Sequence, residues 1–178
     1  MKLLKLLILT AAANAICWII LIPLWQYPDE QAHFAQVQFI SERGGIPQDN
    51  KVFDTSYEVS FSEKLLGTER DEMGNNKFTY NPNFKLNYSD SIFGPGEWEL
   101  ISLGRSERVN LVKNEATLNP PLYYNLASLV YKVFYSGSLI TRVYVIRILS
   151  ALLFIFLIIV SYKIGEIVSH KNPIFSIT

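Results

Sequence analysis

Residues 3–25 form an apolar run whose only charge is Lys5, and nothing else in the chain limits its fold so strongly. As a helix rising 1.5 Å per residue the run reaches about 34 Å, slightly more than the hydrocarbon thickness of a bilayer. The sequence therefore predicts a first transmembrane helix over residues 1–25. A cleaved signal peptide is the alternative, because Lys2 and Lys5 resemble an n-region and Ala13-Asn14-Ala15 has the small-x-small form of a cleavage site. Cleavage there would leave the greasy residues 16–22 as a new terminus, which argues against it. A lipoprotein reading of Cys17 is weaker still, since the bulky Ile16 stands where a small residue is expected.

Beyond this run the composition inverts. Residues 26–119 hold 15 of the 16 carboxylates and 9 of the 16 lysines and arginines, a net charge of −6 hidden by the neutral total. No basic stripe is left to face phosphates, so nucleic acid is excluded as a partner. Cys17 is the only cysteine, which excludes an internal disulfide and a thiolate metal site. Lys2 and Lys5 favour a cytoplasmic N-terminus by the positive-inside rule, with Trp25 in the far interface and residues 26–121 extracytoplasmic.

Within that loop, Pro28-Asp29-Glu30 is a helix-start signal, and Phe34, Val37, Phe39 and Ile40 recur at roughly helical spacing until Gly44-Gly45-Ile46-Pro47. This predicts an amphipathic helix over 30–43 near the membrane surface. Further on, short alternating stretches at 52–57 and 77–80 lie between breakers such as Gly74-Asn75-Asn76 and Asn81-Pro82-Asn83, and predict one or two hairpins among short helices. After Asn119-Pro120-Pro121 comes an apolar, aromatic stretch that includes Lys132. It is too short to cross a bilayer, so residues 122–137 are expected to form an interfacial helix. Residues 141–168 then read as a second transmembrane helix, with Arg147 and Lys163 snorkelling at its ends. Charge alone does not fix the topology here, because two cations stand on each side of the choice.

Three constellations carry chemistry. In the first, Asp29, Glu30 and His33 directly follow the first span, and Glu30 and His33 share a helix face, an arrangement suited to a general base or a held cation. The plainer reading is that Asp29 caps the helix and Glu30 favours its positive end. In the second, Pro121, Tyr123 and Tyr124 combine a rigid helix entry with aromatic faces for a ligand, or simply form a belt at headgroup level. The third is Arg147, whose planar fork suits a phosphate, or which snorkels. Loop aromatics such as Tyr57, Phe78, Tyr80, Phe84 and Tyr88 can offer flat faces to a ligand, although a small core is their commoner use.

The order of Asp29-Glu30, Asn119-Pro120-Pro121-Leu122 and Arg147-Ile148-Leu149-Ser150-Ala151-Leu152 resembles the N-terminal part of the GT-C superfamily of polytopic glycosyltransferases. That superfamily includes protein O-mannosyltransferases and lipid A aminoarabinose transferases, and a bacterial family of uncharacterised membrane proteins shares the same opening. Asn119 stands where these families often have His. The resemblance covers the two ends of the chain and hardly touches residues 52–115. It implies a mainly α, integral membrane protein with a truncated GT-C-like fold, in which two transmembrane helices flank a long extracytoplasmic loop bearing juxtamembrane amphipathic helices. It also implies that the helix after the double proline lies along the surface.

The function so implied is transfer of a sugar from a polyprenyl-phosphate donor to an extracytoplasmic acceptor in a bacterial or archaeal plasma membrane. Asp29 looks like the base, Glu30 its tuning neighbour and Arg147 the phosphate partner, while His33, Pro121, Tyr123 and Tyr124 contact substrate. A requirement for a divalent cation stays open, and the resemblance names no metal ligand. Enzymes of this type have more spans than this chain, so it is expected to be an N-terminal part, inactive alone. Residues 173–178 read as the start of a further apolar segment. The alternative is a non-catalytic, membrane-anchored binding or assembly subunit of cell-envelope glycan machinery.

Overall fold

A computed structural model describes residues 2–45, 56–66, 68, 95–110 and 115–171. The described residues are mainly helical and include no strand. The segment 77–80 and the loop aromatics Phe78, Tyr80, Phe84 and Tyr88 lie outside them, as does most of 52–57. Tyr57, placed in an alternating stretch, instead opens a helix. It stacks on Phe61 one turn later, at 6.0 Å between ring centroids, and its hydroxyl donates to Glu99 at 3.0 Å.

Helix α1 (Lys2–Leu21) is built from leucine, isoleucine and alanine, and stops where Pro23 disfavours helical geometry for the residue before it. Helix α2 (Glu30–Arg43) ends at Gly44 and Gly45, whose φ values of 71° and 74° are left-handed angles that glycine adopts without penalty. Helices α3 (Tyr57–Leu66), α4 (Pro95–Ser102) and α5 (Arg105–Arg108), and a 3₁₀ turn (Glu115–Leu118), follow. Helix α6 (Leu122–Val133) starts at Pro121, a residue suited to a helix start because it has no N–H to satisfy. Helix α7 (Leu139–Lys171) is a single helix of 33 residues. Two segments, Leu3–Leu21 and Leu139–Val168, are long and apolar enough to cross a membrane.

The chain divides into two compact units, Met1–Ile22 with Ile146–Thr178, and Pro23–Val145. In the first, apolar side chains point outward, and Leu9, Ile20, Leu152 and Phe156 are all exposed. Arg147 does not snorkel. It is only 7% exposed, and Nη1 donates to the carbonyl oxygens of Ile22 at 2.7 Å and Ile19 at 3.3 Å, so a cation meets the negative end of α1. Lys163 pairs instead with Glu166, one turn along α7, at 2.8 Å in an exposed setting.

In the second unit, α2 packs against α6 and the 3₁₀ turn. The buried positions of α6, Tyr124, Ala127, Ser128 and Tyr131, fall at i, i+3, i+4 and i+7, the stripe a packed helix requires. Burial of Phe34, Val37 and Ile40 contributes about 1.5–3 kcal/mol each. α2 departs from the amphipathic surface helix that its spacing predicts, because Gln31, Gln36 and Gln38 are buried along with its apolar residues. Trp25 departs from an interfacial anchor in the same way. It is wholly buried, its ring lies 5.6 Å from that of Phe34, and its indole N–H donates to Ser62 Oγ at 2.8 Å. The indole finds both an apolar wall and an acceptor within the fold, which leaves its polar edge no need of water.

Candidate functional site

The turn before α2 is built around two left-handed residues, Trp25 at φ 61° and Asp29 at φ 55°. Asp29 occupies the N-cap position, yet its side chain makes no capping hydrogen bond. Only its backbone serves the helix, accepting from the His33 amide at 3.0 Å. The carboxylate is carried on an exposed residue in a conformation that costs most L-residues about 1–2 kcal/mol, though aspartate tolerates it better than most. Glu30 is turned back into the same bend, where Oε2 accepts from the Trp25 backbone N–H at 3.1 Å.

One turn further along α2, His33 meets α6. Its Nδ1 lies 2.7 Å from the Tyr124 hydroxyl, and the two rings stack at 5.9 Å with 20° between their planes. Tyr124 is 3% exposed. Burial pushes its hydroxyl pKa up, and a hydrogen bond from the Asn119 side chain partly offsets that rise. Tyr123 lies edge-on to Tyr124 at 5.5 Å, and the exposed Pro121 caps the helix from the preceding turn. The packing of α2 on α6 thus brings Asp29-Glu30-His33 and the Asn119-to-Tyr124 segment, some 90 positions apart in sequence, into one unit. Arg147 belongs to the other unit, where it ties α7 to the end of α1.

The most heavily invested polar cluster lies deeper, and the sequence does not announce it. Arg142, 1% exposed, grips the Glu58 carboxylate with both terminal nitrogens, and its Nε donates to the Gly137 carbonyl at 3.2 Å. Its Nη1 also donates to the Tyr131 hydroxyl at 2.7 Å, and that hydroxyl donates to Glu42 at 3.0 Å. Gln38 donates to Glu58 as well, while Arg108 lies 3.9 Å from both Glu42 and Glu58 and over the Tyr135 ring. Burial drives the Tyr131 hydroxyl far above the ordinary tyrosine pKa, so it stays a donor. Each charge is paired, as burial demands, and residues from α2, α3, α5, α6 and the first turn of α7 are locked together. Arg142 reads in sequence as a topology charge and Glu58 as an ordinary loop acid. Only the count of five elements converging on them reveals their role.

Beside this cluster is a cavity of 320 Å³ with largely aliphatic walls, among them Leu65, Leu66, Leu100 and Leu139. Arg108 and Arg142 also border it, but with Glu58 and Glu42 as counter-ions it suits a hydrocarbon group better than an anion. Among the described residues no group of three His, Cys, Asp or Glu side chains is placed to hold a metal ion. Comparison of the chain with protein-family models, with curated proteins and with solved structures returns no match.

Proposed function

We infer that the chain is the N-terminal part of an integral membrane glycosyltransferase of the GT-C type, with α1 and α7 as membrane spans and residues 26–121 on the extracytoplasmic side. The observation that carries this reading is Asp29, an exposed carboxylate in a left-handed conformation with no side-chain capping bond. Strain of that kind persists where the surrounding fold holds it, and it clusters at functional sites. The reading also draws on the sequence resemblance and on the packing that gathers His33, Tyr123 and Tyr124 within the same unit as Asp29.

In the proposed reaction the acceptor hydroxyl oxygen bonds to the anomeric carbon of the donor, the bond from that carbon to the phosphate oxygen breaks, and polyprenyl phosphate leaves. Asp29 takes the proton lost by the acceptor, and Glu30 holds the bend that presents Asp29. A lipid-anchored donor keeps its reactive carbon near the headgroups, which accounts for carboxylates placed just after a membrane-length helix.

Asp29→Asn in the full-length protein tests the base. Asparagine keeps the shape and tolerates left-handed angles, so sugar transfer should fall roughly two to four orders of magnitude with expression unchanged. Near-normal turnover in Asp29→Asn with loss in Glu30→Gln would move the base by one residue, and full activity in both would sink the catalytic reading. The second reading, a non-catalytic membrane-anchored subunit, draws on Arg147, whose observed bonds to the end of α1 are structural. For topology, Ser138→Cys in a Cys17→Ser background should react with an impermeant thiol reagent from the extracytoplasmic side, and reaction from the cytoplasm would overturn the proposed arrangement.

A further inference from the structure

The aliphatic cavity of 320 Å³ is lined by residues of the Pro23–Val145 unit, and burial grades across that lining. Ser62, Leu139 and Arg142 form a buried floor, Leu65, Leu66 and Leu100 are half-buried walls, and Ile101 and Ile140, each 57% exposed, stand at the rim. The polar groups of the floor are already engaged. Ser62 Oγ donates to the Val59 carbonyl and accepts from the Trp25 indole, while Arg142 and Arg108, the two cations among the described lining residues, have Glu58 and Glu42 as counter-ions. The volume falls at the lower end of the roughly 300–1,000 Å³ typical of ligand sites. Left unfilled, a void with such walls forfeits the van der Waals contacts that its lining atoms lack.

We propose that this cavity receives one acyl chain of a bilayer phospholipid, which tethers the Pro23–Val145 unit to the membrane. The rim leads toward lipid. Ile140 sits in the first turn of α7, and exposed apolar side chains continue along the same helix at Ile148, Leu152 and Phe156. A chain drawn in from that side exchanges one apolar surrounding for another and fills the void, so it gains contacts and loses little. Polarity at the rim decides between lipids. Ser136 and Ser138, both exposed there, offer uncharged hydroxyls that suit the ester oxygens at the head of an acyl chain. A polyprenyl phosphate has no ester, and its phosphate needs a cation, whereas both guanidiniums of the described lining are buried and neutralised by carboxylates. The occupant rests on α7 being a membrane span, as inferred above, and on no part of the transfer chemistry.

The test uses the 178-residue chain in nanodiscs of palmitoyl-oleoyl phosphatidylcholine, with a trace of the same lipid carrying a diazirine near the end of its oleoyl chain. After illumination, peptide mass spectrometry should find the label at Leu65, Leu66 and Leu139 as well as at Leu152 and Phe156. Leu100→Trp, which puts a larger side chain into the cavity, should abolish the first set and keep the second. Polyprenyl phosphate added in excess should abolish neither. Label at Leu152 and Phe156 without Leu65, Leu66 and Leu139 overturns the cavity as a lipid site and leaves the span standing. Absence of label from Leu152 and Phe156 overturns the span, and with it the source of the chain. Competition by polyprenyl phosphate for the cavity set overturns the acyl chain as occupant. The unsubstituted chain decides among these outcomes, so a misfolded Leu100→Trp does not blunt the test, and Asp29→Asn, whose failure would remove the transfer reaction, leaves the labelling unchanged.

Discussion

The two units of the molecule solve the burial problem in opposite ways. In the unit formed by α1 and most of α7, Leu, Ile and Phe side chains are exposed and the polar Arg147 is tucked against helix-end carbonyls. In the unit from Pro23 to Val145, Glu58, Gln38 and Arg142 occupy the interior. In water, exposed apolar helices forfeit about 25 cal/mol for each Å² left unburied, while a lipid surrounding removes that penalty. The polar interior of the other unit is costly in any medium unless every charge finds its partner. The comparison teaches that one region leaves its apolar side chains uncovered by the fold while the other depends on internal pairing, and each can be broken by a different substitution.

The largest effect is expected at the buried pair. Glu58→Ala strands the Arg142 guanidinium in the interior and should lower stability by about 3–5 kcal/mol in chemical unfolding in detergent. The double change Glu58→Leu with Arg142→Met removes both charges and should recover most of that loss. A double variant as unstable as the single one would mean that packing, rather than charge pairing, holds this unit together.

Arg147→Met probes the other unit and should cost about 1.5–3 kcal/mol, the weight of hydrogen bonds from a charged donor. Amide exchange should quicken at residues 18–22 while protection across 30–43 stays unchanged. Loss of protection across both would erase the distinction between the units.

Trp25→Phe keeps an aromatic ring but removes the N–H that reaches Ser62, and a loss of about 1–2 kcal/mol in thermal stability is expected. Introducing Ser62→Ala into the same background should then add little, since the bond is already gone. Additive losses would show that the two residues stabilise the fold independently.

The smallest effect has the opposite sign. Asp29→Gly relieves a left-handed conformation and should raise stability by about 1 kcal/mol or less, while abolishing the proposed transfer reaction. A destabilised Asp29→Gly would mean that the carboxylate serves the fold, and the catalytic reading would lose its main support.

Much of the local structure is legible in the residues themselves. The apolar runs, the Pro28-Asp29-Glu30 start, the Gly44-Gly45 stop and the Pro120-Pro121 entry each mark a helix or its end, because helix propensity and capping depend on neighbours a few positions away. Spacing also drew attention to His33 and Tyr124, though not to their contact. What periodicity could not convey was the second face of α2, where the glutamines are buried, or the burial of Trp25. Both depend on surfaces supplied by α3, α6 and the 3₁₀ turn, and a hydropathy pattern records only which side chains are apolar, not what arrives to cover the others.

The sequence by itself determined that the chain is mainly helical, that two of its helices have the length and apolarity of membrane spans, and that an acidic, aromatic-rich stretch separates them. Those properties are sums over adjacent residues. The tertiary structure decided that Arg142 pairs with Glu58 across 84 positions, that Arg147 caps α1 rather than reaching for solvent, and that Tyr124 and His33 share a hydrogen bond. A hydrogen bond is specified by a distance of about 3 Å and a direction, and residues far apart in the chain acquire both only when the helices carrying them have docked.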